Sequence, residues 1–115
     1  MGAASAGFSD SLLDRIQTCF ATNRALYTYH ARREMRLEEF GPIQEPQVFE
    51  AIQAGEVIES YPEDQPYPSV LILGRTLAGR ALHVVCAYDE EDDLAVVITV
   101  YEPDPARWID FRRRR

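Results

Sequence analysis

The sequence predicts an α+β domain, with N-terminal helices followed by a four-stranded antiparallel meander. Two observations lead there. Apolar residues recur at helical spacing up to Gly55, and beyond it they fall into short alternating or β-branched runs separated by turn residues. A third sets the scale: 115 residues, 46% of them hydrophobic, supply one continuous core and one domain.

Ser9 precedes Leu12, Leu13, Ile16, Cys19 and Phe20, an amphipathic helix expected to run to about Arg24 with Asp10 and Asp14 in its first turn. Thr28 is placed to cap a second helix carrying Ala31, Met35 and Leu37, which the Gly41 and Pro42 pair stops. A third helix opens with Pro46, buries Val48, Phe49 and Ile52, and ends at Gly55. Strands are expected over 56–61, 69–73, 81–88 and 94–101. The loop 62–68 is rich in proline and suits either a stiff connection or an exposed recognition edge. Gly74 and Gly79 bracket a turn, and Asp89 to Asp93 form an acidic turn that keeps strand edges soluble.

A formal charge of -7, counted over the whole surface, argues against a general nucleic-acid binder, since phosphate recognition draws on clustered positive charge, and no direct contact with DNA is expected. Cys19 and Cys86 lie in apolar stretches and read as reduced core residues. With two isolated histidines and no C-x-x-C pair, neither a metal nor another cofactor is expected. Met1 to Gly7 has no basic leader and no long apolar run, so the expected location is the cytoplasm, without membrane contact.

Two strings carry a resemblance: His30, Ala31, Arg32, Arg33, Glu34 and Met35, then Gly55 through Tyr61-Pro62-Glu63-Asp64-Gln65-Pro66-Tyr67-Pro68 to Ser69. With Leu82-His83-Val84-Val85, and Thr99-Val100-Tyr101-Glu102-Pro103-Asp104-Pro105 before Trp108, they resemble a widespread family of small bacterial proteins catalogued as a domain of unknown function. The resemblance covers residues 27–115 and leaves 1–26 as an N-terminal extension with an amphipathic helix. Members are often encoded beside a small protein with a zinc finger of the MqsA antitoxin type. Their helix-then-meander pattern is similar to the RelE and MqsR toxins, which cut RNA without a metal. The resemblance thus implies a RelE-like domain over 27–115, a toxin-like role on RNA and a zinc-finger antitoxin as partner. Many relatives carry Arg four residues after the equivalent of His30; this chain has Glu34 there, with Arg33 one place earlier.

Metal-free RNA cleavage needs a base for the ribose 2′-hydroxyl, a cation for the crowded phosphate and an acid for the leaving oxygen. Histidine is the side-chain type whose unperturbed titration falls near neutrality, so His30 and His83 are the candidate acid and base; Arg80 is a candidate cation, and Tyr101 a proton donor or stacking platform. Each has a structural alternative. A histidine opening a helix commonly bonds a carbonyl or carboxylate, one in a strand commonly packs, and Tyr101 can simply close the last strand. Arg33 and the run Arg112, Arg113, Arg114 and Arg115 are candidates for RNA phosphate or a partner surface, against the reading of the run as a solvated tail. The rival to catalysis is a noncatalytic interaction module, or an inactive toxin homologue that still binds its partner.

Overall fold

A computed structural model describes residues 3–115; Met1 and Gly2, the start of the stretch read as lacking a leader, lie outside the described residues. The elements are α1 (Ala3–Ala21), β1 (Ala25–Tyr27), α2 (Tyr29–Leu37), α3 (Glu45–Gln53), β2 (Glu56–Tyr61), β3 (Ser69–Arg75), β4 (Ala81–Asp89), β5 (Leu94–Tyr101), β6 (Trp108–Ile109) and β7 (Arg113–Arg114). The α+β class and the β2 to β5 meander are as expected. Helix α1 begins well before Ser9 and has no acidic first turn, in keeping with the high helix propensity of its opening alanines.

The expected four-stranded antiparallel sheet is instead a five-stranded mixed sheet, in the order β1-β5-β4-β3-β2. Strand β1 runs parallel to β5, with Ala25 beside Ala95 and Tyr27 beside Val97. Three residues carry too little periodicity to announce a strand, and this one exists only because β5 offers an open edge. Beyond it Thr28 caps α2 through its hydroxyl, as expected, accepting from the Ala31 amide at 3.0 Å. Glu34 then reaches back and accepts the free Val100 amide at 3.2 Å, which satisfies the part of the β5 edge that β1 does not cover.

The helices lie on one face. Leu12, Ile16, Cys19 and Phe20 of α1 join Ala31 and Met35 of α2 and Val48, Ala51 and Ile52 of α3, over Val70, Ile72, Leu82, Val84, Cys86, Val97 and Val100. The helix read as an N-terminal extension is therefore part of the core, and residue 26 falls inside β1. Full burial of a side chain such as Ile16 stabilises by about 1.5–3 kcal/mol. Both cysteines are buried and unpaired within this core. At Gly74 the sheet meets α3 backbone to backbone; an added Cβ would lie 1.8 Å from the Ala51 carbonyl oxygen. No described helix is long and apolar enough to cross a membrane.

Two bulges decide which residues face away from the helices. The register shifts between Val57 and Glu59 on β2, pairing Val57 with Ile72 and Glu59 with Leu71. Val57 thus packs toward the core while Glu59 and Tyr61 turn to the outer face. A second shift, where Val85 pairs with Thr99 and Cys86 with Val97, keeps both Val97 and Val100 in the core and sets His83 opposite Tyr101 on the outer face. The chain after β5 returns across that face. Asp104 accepts the Ala106, Arg107 and Trp108 amides in a tight turn, and β6 and β7 form a small hairpin.

Candidate functional site

The outer face of β2, β4 and β5 and the β6–β7 hairpin enclose a polar cluster. His83 is 0% exposed, with both ring nitrogens bonded: Nδ1 lies 3.0 Å from the Tyr101 hydroxyl and Nε2 2.6 Å from the Phe111 carbonyl. A carbonyl only accepts, so Nε2 carries the proton and Nδ1 accepts from Tyr101 in the neutral ring. Burial lowers the His83 pKa from its ordinary value, against the Phe111 carbonyl and the Glu59 carboxylate, which both favour the cation. Asp110 and Phe111 hold φ of 53° and 61°, left-handed backbone at the hairpin tip beside this contact. Such a conformation costs about 1–3 kcal/mol in a residue that is not glycine.

Trp108 closes the cluster edge-on to the imidazole, 4.4 Å between centroids, and the Arg114 guanidinium lies 4.7 Å from the Trp108 ring centre. Arg114 grips Glu59 with two bonds of 3.0 and 3.1 Å, while the Tyr61 hydroxyl donates to the same carboxylate at 2.5 Å. The Arg114 bonds hold the Glu59 pKa below the usual carboxylate range, with help from Tyr61 and against burial. Burial, then Glu59, pushes the Tyr61 phenol up to about 12, and burial raises Tyr101 as well. At neutral pH the cluster thus holds an ionised carboxylate, two protonated phenols, a neutral imidazole and a guanidinium. Beside it opens a cleft of about 580 Å³ whose lining mixes Tyr101, Trp108, Arg107, Arg114 and Arg115 with Glu38, Glu39, Phe40, Glu102 and Asp104.

Of the residues singled out from the sequence, His83, Tyr101 and Arg114 meet in this cluster. His30 does not: it projects from α2 on the helical side of the sheet, 64% exposed, with Nε2 3.3 Å from Glu34. The two histidines are not brought together. Arg80 is also elsewhere, donating to the Gly41 and Pro42 carbonyls at 2.5 and 2.9 Å and to Glu102 at 2.6 Å, which ties the α2–α3 loop to the sheet. Arg33 and Arg113 are exposed, Arg115 donates to the Pro105 carbonyl, and Arg112 pairs with Glu56. The terminal run is therefore folded onto the domain by its ion pairs and by stacking on Trp108. Sequence reading missed Glu59 and Tyr61, because strict alternation from Val57 puts all three on the core side and only the bulge turns Glu59 and Tyr61 outward. Among the described residues no group of three His, Cys, Asp or Glu side chains is placed to hold a metal ion.

Fold and site together define a small mixed-sheet α+β domain whose sheet bears apolar residues toward the helices and a tyrosine–histidine–carboxylate cluster on the other face. Residues 27–102 match the family described as a domain of unknown function, DUF4258, and the chain belongs to that family. The matched stretch ends at residue 102 rather than 115, so Glu59, Tyr61, His83 and Tyr101 fall within it and Trp108 and Arg114 beyond it. No curated protein and no solved structure matches the chain.

Proposed function

We propose that the protein is a toxin-like, metal-independent endoribonuclease of the cytoplasm, RelE-like in arrangement, whose partner is a zinc-finger antitoxin of the MqsA type. One observation carries the reading. Tyr101, partly exposed on the cleft wall, has a neutral imidazole hydrogen-bonded behind it and a guanidinium nearby. These are the groups that 2′-hydroxyl attack on a phosphodiester requires.

In this mechanism Tyr101 takes the 2′-hydroxyl proton as it passes its own to His83 Nδ1. The 2′-oxygen attacks phosphorus, and the bond to the 5′-oxygen breaks. The imidazolium, steadied by the Phe111 carbonyl and Glu59, returns the proton through Tyr101 to the leaving oxygen. The products are a 2′,3′-cyclic phosphate and a 5′-hydroxyl. Arg114 exchanges part of its bidentate hold on Glu59 for the phosphate oxygens, and Arg107 and Arg115 line the approach.

The test is incubation of purified, partner-free protein with single-stranded RNA in excess chelator. Cleavage is expected, falling about 100-fold or more in Tyr101→Phe at an unchanged melting temperature. RNA left intact by the wild-type protein overturns the proposal. The complete burial of His83 favours a second reading, a noncatalytic homologue that keeps only partner binding. That reading predicts intact RNA together with a stable complex with the zinc-finger protein.

A further inference from the structure

A cavity of about 440 Å³ opens far along β4 from the His83 cluster and shares no lining residue with the cleft beside Tyr101. Its walls are apolar and aromatic: Phe8 and Leu12 from α1, Pro66, Tyr67 and Pro68 from the loop after β2, and Tyr88. Acidic residues line it as well: Glu90 and Glu91, both exposed, and Asp89, which is buried. The Asp89 carboxylate is held in place by the Glu91 and Asp92 amides at 3.0 and 3.2 Å. A neighbouring depression shares Arg15, Tyr88 and Glu90 and adds Asp14, Thr18 and Asp93.

The chain itself shows what such a surface attracts. The Arg15 guanidinium, on the wall of the same cavity, lies 5.6 Å from the Tyr88 ring centre. Against this one guanidinium stand the two exposed carboxylates of Glu90 and Glu91, with Asp89 buried beneath them. Aromatic faces offer a cation a second source of attraction beside carboxylates, and a guanidinium or ammonium on an aliphatic stem matches both the apolar walls and the exposed carboxylates. A phosphate or nucleic acid meets repulsion from the same carboxylates.

We infer that this cavity is a docking site for an arginine or lysine side chain of a partner polypeptide. The inference does not depend on RNA cleavage, because the cavity and the His83 cluster share no residue. It gives the Pro-rich loop a role as a recognition edge and the acidic turn a role beyond solubility.

The experiment is a titration of the ¹⁵N-labelled full chain with N-acetyl-arginine amide, followed by amide chemical shifts, with N-acetyl-glutamine amide as the neutral control. Saturable shifts are expected at Tyr67, Tyr88 and Glu90, absent with the control and weakened by salt. Affinity is expected to fall about tenfold in the surface variant Glu90→Gln/Glu91→Gln, and similarly in Tyr67→Ala. A short RNA is expected to leave these amides unmoved. No saturable shift, equal shifts with the neutral amide, shifts confined to other acidic surfaces, undiminished affinity in the variants, or RNA binding at these amides would each overturn the assignment.

Discussion

The helical face of the sheet presents Val70, Ile72, Val84 and Val97 to apolar helix residues, whereas the outer face of the same sheet presents Glu59, Tyr61, His83 and Tyr101 to a two-stranded hairpin. The first face is held by buried area, which is non-directional and tolerates exchange of one aliphatic residue for another. The second is held by a few directional bonds between groups whose charge depends on one another. The comparison separates what makes the domain stable from what sets the charge states of its outer cluster.

Gly74→Ala attacks the helical face where no side chain can yield, since the obstacle is the Ala51 backbone. A loss of about 3 kcal/mol or more is expected, read as loss of the cooperative denaturant transition or a large fall in its midpoint. Trp108→Ala attacks the outer face, removing a 5%-exposed ring that covers His83. The expected cost is smaller, about 2 kcal/mol, because the helical core stays intact. Opening the ring to water should also raise the His83 pKa toward 6.5, visible in an imidazole NMR titration.

The pH dependence sharpens the contrast. The His83 pKa is lowered on folding, so the unfolded chain binds the proton first as pH falls. The stabilisation from neutral, buried His83 is complete above the unfolded value near 6.5 and is lost as pH falls from there through the folded value. Denaturation of the wild type at pH 7.5 and 5.5 should show this loss, and His83→Gln should lack that part of it. Arg32→Ala should do least. Its 2.6 Å pair with Glu45 joins α2 to α3 between half-exposed partners, and a change within about 1 kcal/mol is expected in the same assay.

The legible parts of the fold were those that local pattern determines. The run 94–101 and the stretch from Glu56 to Tyr61 are strands as expected, Thr28 caps α2, and the cysteines are buried. Strand β1 was not legible, because three residues become a strand only through a partner 70 positions along the chain. The hairpin was hidden by its composition: an arginine run reads as solvated, and only Trp108, Glu56 and Glu59 in space make it structure. The site was half legible for the same reason. His83 and Tyr101 stand out by residue type, but their pairing depends on register, and Glu59 reaches them through a bulge that alternation does not disclose.

The hairpin also bears on the order in which the protein is made. Strands β2 to β5 can pair as each emerges from the ribosome, since every pair is a local hairpin, whereas β1 must wait for β5. The outer cluster waits longer still, for the Phe111 carbonyl and the Arg114 guanidinium. A nascent chain that has exposed everything through Tyr101 thus holds every strand of the sheet but an unassembled cluster.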